Sequence, residues 1–128
     1  MDSIKGYLGL HADALAIRSR RNEILASNIA NAATPNFKAR DIDFESEMSK
    51  HMPKGHLDVT NVNHMAFVQA SSLSGVKYRV PIEPSLDGNT VELPVEQMQF
   101  SESVMEYQTS LTFLNRKIAS LMSAIKEE

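Results

Sequence analysis

The 128-residue chain contains no cysteine and no tryptophan, has five glycines, and has no run near the ~20 apolar residues that span a bilayer. Without cysteine, disulfides, thiolate zinc sites and cysteine nucleophiles are all excluded. None of the glycines forms a phosphate-binding loop, serine and histidine lack the context of an activated nucleophile, and the carboxylates are scattered. Nothing in this inventory points to an enzyme. His51, His56 and His64 lie in the middle of the chain at spacings that match no compact ligand set, so neither a metal nor a cofactor is expected. Asp2, Lys5, Asp13, Arg18 and Arg20 interrupt the first twenty residues, which therefore offer no secretory h-region, and no cleavable signal peptide is expected.

The net charge is -3 and is unevenly divided. Residues 1–40 hold six Lys/Arg against three Asp/Glu (+3), and residues 41–128 hold seven against thirteen (-6). Opposite ends of two copies could attract, although a solvated charged face is the simpler account. Arg18, Arg20 and Arg21 do not amount to a nucleic-acid site, because the chain has no basic face with interleaved aromatics.

Two amphipathic segments dominate what is present. From Ile4 to Ala30 there is no proline, and Ile4, Leu8, Leu15, Leu25 and Ile29 share one side of a helical wheel, flanked by Leu10, Ala14, Ile17 and Ile24. Arg18 and Asn22 fall inside this arc, where a polar residue fixes register or meets a carboxylate; for Arg18 a snorkelling side chain at the margin is the simpler reading. At the other end Val104, Tyr107, Leu111, Leu114, Ile118, Leu121 and Ile125 alternate three and four apart, the a/d seam of a coiled coil. Pro94 suits the first turn of that helix and Glu96 its positive dipole end, while Met98, Met105 and Met122 beside the seam read as adaptable packing. Helices of ~40 and ~48 Å are close enough in length to favour antiparallel pairing.

The stretch from Asp41 to Leu93 is too long for an ordinary connection. Val76, Tyr78, Val80 and Ile82 alternate, and Thr90, Val91 and Leu93 follow Asp87-Gly88-Asn89, which predicts a small irregular hairpin that Pro81 and Pro84 confine to an edge. The expected architecture is mainly α: long N- and C-terminal helices paired as a coiled coil around an extended or small β-hairpin middle that orders on assembly. Its parts are an axial helix (1–33), a turn with the middle segment (34–93) and a coiled-coil helix (94–128), forming one assembly unit. The assembly interface predicted from the stripes comprises Leu8, Leu15, Leu25 and Ile29 with the seven seam residues.

The first helix ends in Ser27-Asn28-Ile29-Ala30-Asn31-Ala32-Ala33-Thr34-Pro35-Asn36-Phe37-Lys38. Asn28 and Asn31, three apart, can bond terminal carbonyls or a neighbouring backbone. Pro35 stops the helix, and Thr34–Phe37 reads as a β-turn that in its type II form needs positive φ at Asn36. Phe37 then returns the chain to the apolar side. This stretch resembles the signature of the flagellar rod, hook and hook-associated axial proteins, matching at Ser27, Asn28, Ile29, Ala30, Asn31, Thr34, Pro35, Phe37 and Lys38. It departs at Asn36, where that family usually has glycine. Asp87-Gly88-Asn89-Thr90-Val91, Tyr107-Gln108, Leu111, Phe113 through Ile118, Leu121 and Ala124-Ile125 are similar to the basal-body rod branch rather than to the longer distal-rod and hook proteins. Ser103 stands where that branch commonly has asparagine. Phe44 and the Thr60 to His64 stretch extend the likeness into the middle, leaving 45–57 and 65–77 unmatched.

The resemblance implies a structural subunit of the proximal rod of the bacterial flagellar basal body, exported by the flagellar type III apparatus without cleavage and polymerised in the cell envelope. Its implied partners are further copies of itself, other rod proteins, the hook-basal body protein E adaptor (FliE) and the export gate. A cytoplasmic coiled-coil adaptor or export chaperone, working as a small oligomer, is the alternative.

Overall fold

A stretch without proline and with apolar residues on one side builds the first helix, α1 (Asp2–Ala30). Its counterpart α3 (Leu93–Lys126) carries Pro94 and Glu96 in its first turn and Lys126 in its last, in keeping with the helix dipole. The computed structural model describes residues 2–52 and 75–126. At ~1.5 Å per residue the two helices are ~43 and ~51 Å long, and they pack against each other as an antiparallel hairpin. The register is constant. From Asn28–Glu96 to Arg18–Glu106 to Tyr7–Lys117, each step back along α1 is matched by an equal step forward along α3.

The predicted coiled-coil pairing and mainly helical class are therefore observed, together with a two-stranded antiparallel sheet. The pairing within that sheet differs from the expected one. Strand β2 (Val76–Tyr78) pairs with β1 (Arg40–Ile42), Tyr78 opposite Arg40 and Val76 opposite Ile42, rather than with Thr90–Leu93. Residues 87–90 instead run beside the signature turn, and Thr90 spends its backbone N–H on the Phe37 carbonyl. A short helix that the sequence pattern did not predict, α2 (Phe44–His51), follows β1, with Glu45 and Glu47 in its first turn and Lys50 and His51 in its last.

The interior is small and half polar. Among the described residues the buried apolar side chains are Ile17, Leu25, Ala39 and Ile42, and the buried polar ones are Asn28, Asn89, Glu96 and Ser103. So thin an apolar core cannot by itself choose one arrangement of the elements, and the choice falls to directional hydrogen bonds.

Candidate functional site

The end of α1 is a helix terminus with no basic residue in its last turn, so its final carbonyls need other donors. They come from asparagines. Asn31 donates from Nδ2 to the Ser27 carbonyl at 2.7 Å, and its Oδ1 accepts from the Thr34 hydroxyl at 3.1 Å. Asn89, from the far side of the chain, aims its Nδ2 at the carbonyls of Asn31, Ala32 and Thr34 at 3.1, 2.9 and 2.9 Å. Its Oδ1 accepts from the Val91 N–H at 2.8 Å. The Phe37 N–H donates to the Thr34 carbonyl at 3.3 Å, closing the turn, and Asn36 takes φ 60, as the third position of a type II turn requires.

Gly88, at φ 75, faces this turn so closely that an added Cβ would lie 2.5 Å from Asn36 Oδ1. The Asn36 N–H reaches the Asp87 carbonyl at 3.0 Å, and Lys38 Nζ reaches the Gly88 carbonyl at 2.6 Å. Asp87 holds its own loop by accepting from the Ser85 hydroxyl and the Asn89 N–H. The Ser85 hydroxyl, then the Asn89 N–H, keep the Asp87 carboxyl below the usual range. Two stretches more than fifty residues apart thus form one clasp.

Asn28 begins a second set of contacts. Its amide treats Arg40 as a strand would, donating to the carbonyl at 2.7 Å and accepting from the N–H at 3.1 Å, and it also donates to Glu96 Oε2 at 3.0 Å. Glu96 is fully buried and pairs through its other oxygen with Arg79. Arg79 bonds Asp41 at 2.6 Å, and Asp41 is held by Arg21 through two contacts of 3.0 and 3.3 Å. Arg21 also donates to Gln99 at 2.9 Å. Burial would raise the Asp41 carboxyl, but hydrogen bonds and charge from Arg21, with Arg79 beyond, hold it below the ordinary range. The same bond to Asp41 raises Arg21. Arg18 extends the chain of charges to Glu106 and lies over the Phe44 ring, 4.1 Å from its centroid. Arg18 is therefore a bound cation meeting a carboxylate, not a snorkelling margin residue.

The remaining signature residues frame these contacts: Ser27, Ile29 and Phe37 are half-buried, and Ala30 and Pro35 are exposed. Of the predicted interface, Leu25 is wholly buried inside the hairpin and so holds the fold instead of meeting a neighbour. Leu8, Leu15, Val104, Tyr107, Leu114 and Leu121 are half-buried. Leu111, Ile118 and Ile125 remain open to solvent, at 37, 37 and 69% exposure. One half of the seam faces α1; the other half does not. His51 is exposed beside Asp13, whereas His56, His64 and the Thr60 to His64 stretch lie outside the described residues.

Sequence reasoning missed the parts of Asn89, Arg79, Asp41 and Arg21. Asp87-Gly88-Asn89 read as a turn, and Glu96 as a dipole-end acid, because neither pattern names a distant partner.

The family model described as flagella basal body rod protein matches residues 8–38, which run from Leu8 of α1 through the signature to Lys38. Over 128 residues the chain is 52% identical to the flagellar basal body rod protein FlgB of Cereibacter sphaeroides, covering 100% of both chains. The chain belongs to the FlgB family of flagellar basal body rod proteins. It is likewise 41% identical over 136 residues to FlgB of Yersinia enterocolitica, covering 99% of this chain and 98% of that one. With FlgB of Escherichia coli K12 the identity is 39% over 134 residues, covering 98% and 97%. Family membership assigns a structural role in the flagellar rod and a place in the basal body, and implies a non-enzymatic protein. Among the described residues no helix is long and apolar enough to cross a membrane.

Proposed function

We propose that this rod protein is a subunit of the proximal rod, exported by the flagellar type III apparatus and polymerised into the axial drive shaft of motility. Its partners are further copies of itself, other rod proteins, FliE and the export gate, and its place is the rod within the cell envelope. The observation that carries the reading is the half-used seam. An antiparallel hairpin ~43 to 51 Å long leaves Leu111, Ile118 and Ile125 exposed along α3, which is surface for neighbouring helices. The thin half-polar core supports the same view, because subunits that complete their packing against neighbours gain in the polymer what they lack alone. On this reading the signature clasp, Ser27 to Lys38 with Asn89, fixes how the chain leaves the axial hairpin.

The test is complementation of a strain lacking the gene with a tagged copy. Motility should be restored, the uncleaved tagged protein should appear in isolated basal bodies, and electron microscopy should place the tag at the rod base beside FliE. A tag found only in the cytoplasm as a small helical oligomer would support the adaptor or chaperone reading instead.

A further inference from the structure

Asp87-Gly88 is the one place in the sequence where glycine follows an aspartate or an asparagine. In a flexible chain this linkage is chemically labile, because the glycine has no Cβ to keep its amide from the aspartate carboxyl. The Gly88 nitrogen attacks Asp87 Cγ, the carboxyl hydroxyl and the amide proton leave as water, and a cyclic succinimide remains. Water then opens the ring at either carbonyl. Addition at Cγ restores aspartate. Addition at the former main-chain carbonyl breaks its bond to the Gly88 nitrogen and leaves the chain running through the side-chain carbon, an isoaspartate of unchanged mass.

The fold cannot dispense with that glycine. Gly88 takes φ 75, and a Cβ there would lie 2.5 Å from Asn36 Oδ1, so the clasp demands the residue that makes Asp87 labile. The clasp also ties down the groups that ring closure uses. The peptide unit between the two residues is held on both sides: its N–H donates to the Ser85 carbonyl at 3.2 Å, and its C=O accepts from the Asn36 N–H at 3.0 Å. The Asp87 carboxyl accepts from the Ser85 hydroxyl at 2.6 Å and from the Asn89 N–H at 3.0 Å. These bonds favour the ionised carboxyl, the form with no hydroxyl to expel. To close the ring, the carboxyl must swing onto the amide nitrogen and away from Ser85 and Asn89, and the amide must lose the proton that the Ser85 carbonyl holds. Asp87 is nevertheless exposed to solvent, so its hydrogen bonds, not burial, restrain it.

We infer that Asp87-Gly88 is a site of spontaneous isomerisation held in check by the signature clasp: the open chain converts there to isoaspartate, the clasped chain does so slowly, and a converted chain no longer closes the clasp. The loss of closure follows from the covalent change. Isoaspartate adds a carbon to the main chain and turns the carbonyl that Asn36 bonds into a side-chain carboxylate. Both changes fall just before Asn89, whose amide must meet three carbonyls within 3.1 Å. The product has the chemistry recognised by enzymes that methylate isoaspartyl carboxylates, and its formation does not depend on the rod reading.

The test incubates the full-length chain at neutral pH in buffer and in concentrated guanidinium. Isoaspartate at residue 87 is counted over time by electron-transfer fragmentation of its peptide and by methyl transfer from S-adenosylmethionine with an isoaspartyl methyltransferase. Conversion should be about tenfold or more slower in buffer, as for chemistry that waits on local opening. Asn89→Ala leaves the reacting atoms in place; it should convert several-fold faster than the parent in buffer, with its helical circular dichroism retained, and at the parent's rate in guanidinium. Ser85→Ala removes only the hydroxyl from the Asp87 carboxyl and should fall between the two in buffer; it decides alone if Asn89→Ala loses its helical signal. Chain converted in guanidinium and returned to buffer should exchange amides faster in the last turn of α1 than unconverted chain handled alike. Equal parent rates in buffer and guanidinium would overturn the inference, as would parent-like rates in buffer for the folded variants. Unchanged exchange in the converted chain would show that the clasp closes over isoaspartate and would overturn it as well.

Discussion

Asn36 and Gly88 sit face to face in left-handed backbone, and neither position accepts an arbitrary side chain. Asn36→Gly should be neutral or slightly stabilising, because glycine reaches φ 60 without a side-chain clash. Asn36→Val should cost roughly 1–2 kcal/mol and misdirect Phe37, read as a lower thermal midpoint and reduced motility in a complemented strain. Equal behaviour of the two variants would mean that the turn does not depend on this conformation. Ser103 offers a contrasting case: it is fully buried, and its hydroxyl has no bonding partner among the described residues. Ser103→Ala removes a polar group that is desolvated without compensation, so thermal unfolding should show no loss and a gain of up to about 1 kcal/mol. Asn89→Ala works in the opposite direction. Three carbonyls at the end of α1 lose their donor, stability should fall by about 1–3 kcal/mol, and amide exchange should quicken in the last turn of α1.

Between elements, the Asn28–Glu96–Arg79–Asp41–Arg21 chain joins α1 and α3 to β1 and to Arg79, the residue after β2. Removing its buried carboxylate by Glu96→Ala leaves Arg79 with Asp41 alone and takes one of the two acceptors of Asn28 Nδ2. The cost should be about 3 kcal/mol, the low end for a broken buried pair because Arg79 keeps some contact with water. Chemical denaturation of the variant checks this, and a loss below about 1 kcal/mol would show that the pair is incidental. The same chain predicts a pH dependence. Asp41 titrates lower in the folded protein than in the unfolded chain, so the stability it contributes is present above the unfolded carboxylate range near 4 and is lost as pH falls through the folded value. Denaturation curves at descending pH should therefore steepen in their loss below about pH 4. Asp41→Asn, already less stable at neutral pH, should show a shallower acid slope.

At the largest scale, the four buried apolar residues against four buried polar ones among the described residues give little cooperative core. The free protein should unfold over a broad thermal range, and the transition should sharpen and rise in the assembled state, as calorimetry on both would show. Leu114 lies at the centre of the seam, on the half turned toward α1, so Leu114→Asp places a charge in the helix contact and should abolish rod formation and motility. Exposed Gln97→Ala should leave both intact. A motile Leu114→Asp strain would remove the seam from the account of assembly.

The sequence by itself determined the two long helices, their antiparallel match, the stop at Pro35 and the positive φ at Asn36. These are local properties: periodicity, the geometry of proline and the tolerance of asparagine for left-handed backbone act within a few residues of where they are read. What it left open was decided at long range. Val76–Tyr78 alternates as a strand whichever partner it has; it pairs with Arg40–Ile42, while Thr90 and Asn89 spend their bonds on the signature turn and the end of α1. Glu96 reads as a helix-start acid, yet it is buried, because Arg79 and Asn28 converge on it from elements 17 and 68 residues away. Helix α2 was not legible either. Eight residues are too few for a periodic signal, and its apolar anchor Phe44 takes its place from Arg18 of another helix. Only the folded chain could show which half of the seam is spent inside the molecule, since a heptad stripe records that a helix needs a partner but not whether one partner can cover it.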